Sequence, residues 1–175
     1  MTLSLPPYTY VPGHWPHPVR DPGGHSYGVK PLTSPPLDLR QWRECARYLE
    51  GMDLFNQGYY WEAHQAWEDI WKVMGRGGSE AQLLQGLIKV AASGIKIRQG
   101  YPKAARSLLT QSAGHFTRVM EKQDEPVVGG LRLVVLERWC RDFRDDVGDI
   151  KGHPELAVES LFPLLPLSEP DVSLA

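Results

Sequence analysis

Leu54-Phe55-Asn56-Gln57-Gly58-Tyr59-Tyr60-Trp61-Glu62-Ala63-His64-Gln65-Ala66-Trp67-Glu68-Asp69-Ile70-Trp71 sets a turn between two helical patterns. It carries three of the six tryptophans. Asn56 and Gly58 accept the left-handed backbone that ends a helix. Beyond them, Tyr60 to Val73 reads as a second helix. At about 100° per residue, His64 and Glu68 lie on one face, one turn apart. Tyr60, Trp67 and Trp71 flank them, and Ala63, Ala66 and Ile70 widen the apolar surface. A titratable pair is therefore expected inside the stripe that faces the core. Gln65, Asp69 and Lys72 point to water. Glu62 falls on that outer side too, in the first turn, where a carboxylate suits the positive end of the helix dipole.

Outward from this stretch, every periodic segment fits 3.6 residues per turn and none alternates, which predicts an all-α bundle of five helices. Asp38 to about Asn56 reads as the first helix, capped by Asp38 or Ser34, with Trp42, Cys45, Leu49, Met52 and Phe55 at helical spacing. A Gly-rich linker, Met74 to Gly78, follows the second. Ser79 and Gln82 predict a capping box for the third, which runs to about Gln99. That helix is apolar over more than half its circumference and should be central, with Gly86 and Gly94 admitting close neighbours. Pro102 opens the fourth, after Gly100. Glu121 to Gly130 reads as a loop, and Leu131 to Val147 as the fifth helix. Trp67, Trp71, Leu84, Ile88, Ala91 and Phe116 are expected to be buried together.

Three regions follow. Residues 1–36 form a Pro/Gly/His-rich arm holding nine of the fifteen prolines and three of the six histidines. Its aromatics, Tyr8, Tyr10, Trp15 and Tyr27, are the residues that disordered segments lack, so the arm is read as extended but ordered on the helical body. Residues 37–150 form the helical bundle domain. Residues 151–175 form an extended apolar tail, which must cover its own bundle or another subunit.

The elements Phe55-Asn56-x-Gly58, Glu62-Ala63-His64, Glu68-x-x-Trp71 and Gln85-Gly86-Leu87-Ile88 together resemble domain-of-unknown-function family 309. The resemblance spans roughly residues 40–120. Gln65 stands where the family usually has Glu, and Trp67 where it usually has Leu. The resemblance implies a compact helical bundle from bacteria or archaea and implies no activity.

Composition narrows the function classes. The chain has 175 residues and a net charge of −2. That balance offers no basic excess for a phosphate backbone, so nucleic acid is not an expected partner. No apolar run approaches the roughly 20 residues that cross a bilayer, and the N-terminus lacks the pattern of a signal peptide, so a cytoplasmic protein with no membrane partner is expected. Two isolated cysteines, Cys45 and Cys140, read as free buried thiols.

His64-x-x-x-Glu68 has the spacing at which two side chains of a helix share one divalent metal. Further ligands would come from His17, His25, Glu62 or His115. The plainer reading is a neutral His64 hydrogen-bonded within an aromatic shell. Gln85 and Lys89 are placed to meet the second helix, with Lys89 pairing to Glu68 or Glu62. Tyr60, Trp67 and Trp71 form an aromatic box, which the arm, carrying His17 and His25, would turn into a lidded small-molecule site. The candidate site is therefore His17, His25, Tyr60, Glu62, His64, Trp67, Glu68, Trp71, Gln85 and Lys89. The reading favours a small-ligand-binding or scaffold module. A metal-dependent hydrolase using His64 and Glu68, and a homo-oligomeric interaction protein, remain as alternatives. Neither cysteine has a histidine beside it, and no nucleophile elbow or phosphate loop is present.

Overall fold

The computed structural model describes residues 5–30, 33–75 and 77–168. Arg76 of the predicted linker and the outer ends of arm and tail lie outside the described residues. Five helices form the body: α1 (Ala46–Asn56), α2 (Tyr60–Met74), α3 (Gly78–Arg98), α4 (Pro102–Gln123) and α5 (Leu133–Asp146). The fold is an all-α bundle. None of these helices is long and apolar enough to cross a membrane.

The turn between α1 and α2 follows from Gly58. Its φ of +85° sets up paired bonds, Gly58 N–H to Phe55 O at 3.0 Å and Tyr59 N–H to Leu54 O at 2.9 Å. These are the two bonds of a Schellman motif. Asn56 takes no left-handed conformation. It stays in α1 and accepts the Leu165 N–H on its side-chain oxygen at 2.8 Å.

The helix α3 is central, as its composition predicted, and packs against both α2 and α4. Its buried residues run almost round the circumference, from Leu83 and Leu84 through Leu87, Val90 and Ala91 to Ile97. A Cβ on Gly86 would stand 2.5 Å from the Phe116 ring of α4, and one on Gly94 would stand 2.7 Å from the Tyr60 ring of α2. Both neighbours pack closely because these positions carry no side chain.

Four local expectations are corrected. The first predicted helix breaks: Trp42–Glu44 is a 3-10 turn, Cys45 leaves the helix at φ −87° and ψ 89°, and α1 begins at Ala46. Asp38 does not cap a helix, because its carboxylate accepts Arg40 N–H at 2.8 Å, a local turn that competes with one. The capping box is absent. Ser79 makes no cap bond, and Gln82 instead accepts a hydrogen bond from His115 Nδ1 of α4 at 2.7 Å. Within the predicted loop, β1 (Val127–Val128) and β2 (Leu131–Arg132) form a two-residue antiparallel ribbon. Gly129 and Gly130, at φ +57° and +80°, make its turn.

The tail covers its own bundle. Phe162 stacks on Phe55 at 5.8 Å and on Trp139 at 5.3 Å, and Leu165 is buried. Leu167 bridges to Leu131 beside the ribbon. Of the predicted core group, Trp67, Leu84, Ala91 and Phe116 are buried, whereas Trp71 and Ile88 are half-buried at its margin. Trp67 is 0% exposed and donates its indole N–H to Tyr48 O at 3.3 Å.

Trp67→Ala should therefore cost on the order of 3–5 kcal/mol. Trp71→Ala, at a position that the sequence places in the same core, should cost clearly less because Trp71 is half-buried. Denaturant midpoints of the two variants measure the order, and a larger loss at Trp71 would contradict this core.

Candidate functional site

The outer face of α2 is where the arm lands. Tyr60, Ala63, Ala66, Trp67 and Ile70 turn inward, which leaves Trp61, Glu62, Gln65 and Asp69 outside that stripe. The face is not open to water at its N-terminal end. Glu62 Oε2 accepts the Thr9 hydroxyl at 2.6 Å, and Oε1 accepts Tyr10 N–H at 3.1 Å and His25 Nε2–H at 3.0 Å. The His25 and Glu62 side chains are only 7% and 10% exposed. A carboxylate taken this far from water needs donors on both oxygens, and the arm supplies three.

Aromatic rings extend the contact. Tyr10 stands edge-on to Trp61 at 4.7 Å, His17 edge-on to Trp61 at 5.8 Å, and His64 stacks on Trp61 at 5.7 Å. At these separations the rings fill one another's space, the usual geometry of aromatic packing. The Nδ1 of His17 accepts Val19 N–H and Arg20 N–H, both at 3.3 Å, which folds the arm into a turn over Trp61. Tyr59 fixes the start of the arm by donating its hydroxyl to Pro6 O at 2.9 Å.

The tail lands beside the arm. Arg98, at the last turn of α3, is 1% exposed. It donates Nη2–H to His153 O at 3.0 Å and to Leu156 O. Its Nε lies 3.4 Å from Glu159 Oε2, near enough for charge pairing but off the line of a hydrogen bond. Burial pulls the guanidinium below its ordinary pKa, and Glu159 works against that shift. Glu159 also accepts His153 N–H at 2.8 Å and His153 Nδ1–H at 2.7 Å. The Tyr60 hydroxyl accepts Leu161 N–H at 2.7 Å and Phe162 N–H at 3.2 Å, and burial raises its pKa. Arm and tail are joined by Thr9 N–H to Ala157 O and Trp15 Nε1–H to Pro154 O, each 2.9 Å.

The sequence-predicted residues divide accordingly. His17, His25 and Glu62 meet at the arm contact, and Tyr60 at the tail contact. His64 and Glu68 share a flank of α2 but do not bond each other. Glu68 accepts Gln65 Nε2–H at 3.1 Å and Lys72 Nζ–H at 3.0 Å. Nδ1 of His64 is buried with no hydrogen-bond partner among the described residues. Trp67 and Trp71 belong to the core and its margin. Gln85 is half-buried on α3, and Lys89 turns to Gln111 of α4 at 3.0 Å rather than to α2. Among the described residues no three His, Cys, Asp or Glu side chains gather as a metal site. A shallow groove of about 270 Å3 lies elsewhere, between Ile97, Pro102 and the loop Val147 to Gly152.

Thr9, Arg98, His153 and Glu159 escaped the sequence reading, and Asn56 was read as a helix end rather than as a partner of the tail. Arg98 left a signal. Ala91, Gly94, Ile95 and Arg98 recur at steps of three and four along the buried side of α3, which places a cation in an apolar stripe.

Residues 48–108 match the family model described as a domain of unknown function, DUF309. No curated protein matches the chain. The match spans the Glu62 and Arg98 positions and leaves the arm and tail outside it.

Two histidines predict how stability follows pH. Burial lowers the pKa of His64 below 6.5, and burial with Arg118 and Lys89 nearby lowers His115 from 6.5 to about 4. Both are thus neutral in the fold and become charged more easily in the unfolded chain. The unfolded state binds the extra protons, so stability is full above pH 6.5 and falls as pH drops towards about 4. Urea midpoints at pH 7.5 and pH 5 should differ in that direction, and His115→Gln should lessen the difference. A midpoint that rises on acidification would contradict both assignments.

Proposed function

We propose that this DUF309 chain is a binding module whose α1–α3 face receives extended polypeptide, its own arm and tail being the segments held in the free protein. One observation carries the reading. The polar side chains of that face direct their hydrogen bonds at main-chain groups: Asn56 to Leu165 N–H, Tyr59 to Pro6 O, Tyr60 to Leu161 and Phe162 N–H, Glu62 to Tyr10 N–H, and Arg98 to His153 and Leu156 O. Main-chain groups are common to every sequence. A face that addresses them recognises an extended backbone, and neighbouring side chains then set preference. This is the scaffold reading of the sequence with its occupant specified.

The test is competition. A fluorescein-labelled peptide of residues 5–30 should bind the full chain weakly, because the tethered arm competes at millimolar effective concentration. A Thr9→Ala/His25→Ala chain, whose own arm is loosened, should take up the unaltered peptide at least about tenfold more tightly, since two charge-assisted or neutral hydrogen bonds are removed from the competitor. Adding Glu62→Ala should abolish that gain. Failure of the loosened chain to take up peptide would remove this reading.

A homo-oligomeric role has its own supporting feature. Val134, Leu164 and Leu167 are 51%, 69% and 40% exposed, and the Leu131–Leu167 bridge sets the tail beside the start of α5. Light scattering of the wild type against Leu164→Glu tests it. A dimer lost in the variant supports the role, and a wild-type monomer at all concentrations rejects it.

A further inference from the structure

The latch that holds the arm contains one group that arm-holding does not use. Nδ1 of His25 faces the Ser26 hydroxyl at 2.8 Å, while its Nε2 faces Glu62 Oε1 at 3.0 Å. Hydroxyl, imidazole and carboxylate thus stand in line, in hydrogen-bond contact on both sides of one ring. With Nε2–H donated to Glu62, Nδ1 is left as the acceptor of the Ser26 proton. That is the arrangement in which a base activates a hydroxyl and a third group orients the base, whichever ring nitrogen does which. We propose that Ser26 is an activated nucleophile, with His25 as its general base and Glu62 as the positioning residue, and that the site transfers acyl groups from small esters. This goes beyond the polypeptide-binding reading and does not depend on it.

The imidazole is packed on one side by Tyr8. Tyr8 stands edge-on to it at 4.9 Å, and the Tyr8 hydroxyl accepts His25 N–H at 3.3 Å. Tyr8 is itself stacked on Trp15 at 5.0 Å and donates to Pro16 O at 2.9 Å. Thr9 and Tyr10 N–H hold the carboxylate from the far side. Orienting groups fixed by their own partners are what a pre-organised site requires. Ser34 supplies an internal contrast. It is also half-buried, but its hydroxyl donates to Pro35 O and meets no imidazole.

Access and substrate class follow from the surroundings. Ser26 is half-buried, while Tyr27, Gly28, Val29 and Lys30 beside it are exposed. Ser26 N–H donates to Pro18 O at 3.0 Å and Val29 N–H to Ser26 O at 3.1 Å, which sets the backbone of residues 18 and 29 beside residue 26. Val19, Tyr27 and Val29 are 49%, 54% and 62% exposed, three apolar side chains on the rim of the turn that carries Ser26. A Cβ at Gly28 would meet nothing within 4 Å, so that side of the turn faces open space. The rim suits an uncharged ester with a short apolar acyl chain.

The chemistry balances with water as the only co-reactant. Ser26 Oγ forms a bond to the ester carbonyl carbon as its proton passes to His25 Nδ1. Collapse of the tetrahedral adduct breaks the ester C–O bond, and the leaving alcohol oxygen takes the proton from Nδ1. Water then attacks the Ser26 ester, giving one proton to Nδ1. Departure of the carboxylic acid returns that proton to Ser26 Oγ. Glu62 accepts Nε2–H throughout.

The experiment is covalent labelling of the full chain with a fluorophosphonate probe, read by intact mass and peptide mapping, beside hydrolysis of p-nitrophenyl butyrate. One adduct is expected, on Ser26, with none on Ser34. Ser26→Ala should lose both adduct and hydrolysis. His25→Gln should slow labelling on the order of 100-fold, the lower range of general-base catalysis. The wild-type labelling rate should rise with pH and then level off, and Glu62→Gln should move that inflection. The wild-type profile decides the matter even if the His25 variant releases the arm. An adduct absent from Ser26, equal labelling of Ser34, or a rate that climbs with hydroxide without levelling would each overturn the proposal.

Discussion

The structure depends on one constraint: extended backbone laid on a helical bundle must find hydrogen bonds that neither helix nor sheet provides. The arm and tail are rich in proline, and they carry main-chain N–H and C=O groups into partly buried positions. Unpaired, each such group would cost about 1–3 kcal/mol. Side chains of the helices supply the partners. Glu62 and Asn56 accept, Arg98 and Tyr59 donate, and the Tyr60 hydroxyl receives two N–H groups from successive residues. The polar residues of the α1–α2 turn thus complete the backbone of segments about 50 to 110 positions away in the chain.

The same constraint explains a buried arginine at the end of α3. A guanidinium carries five N–H donors, and here two carbonyls and one carboxylate meet it. Breaking a buried charge pair leaves the partner stranded, which is costlier than the pair is favourable. Glu159 is bound from a second side by His153, so the loop 153–159 closes around the cation as a unit. Apolar residues alone would hold the tail to the bundle, as Phe162 does. They would not fix which residue sits where, because apolar contact has no direction. Arg98 and Tyr60 fix it.

Much of the body was legible in the sequence. Periodicity gave five helices, the centrality of α3 and the close approaches at Gly86 and Gly94, because these follow from local pattern and residue size. The errors arise where another partner wins a polar side chain. A cap assigned from sequence neighbours competes with other bonds: Asp38 accepts Arg40 N–H in a local turn, and Gln82 meets His115 from the next helix. Glu62 is the clearest case. A helical wheel places it towards water, and that direction is right, but the arm occupies the space. No local pattern reports a partner that arrives from more than fifty residues away. The pairing of His64 with Glu68 failed for a related reason. Spacing puts the two side chains on one face, but Gln65 and Lys72 compete for the carboxylate and Trp61 for the ring.

Arm and tail do not act as independent straps. Thr9 N–H donates to Ala157 O while its hydroxyl holds Glu62 of α2, and Trp15 Nε1–H binds Pro154 O. Loosening either segment removes partners from the other, so the two should open together rather than fray separately. The coupling runs through residues with distinct chemistry at each end: a histidine–carboxylate contact under the arm and a guanidinium–carboxylate contact under the tail. Interactions within such a network are non-additive, because each member's donors are fixed by the next. Glu62 also bears on Arg98 directly, because its charge favours the guanidinium although the two side chains share no hydrogen bond. Helix α2 lies beneath both contacts, which is why its short polar motif bears on the placement of both termini.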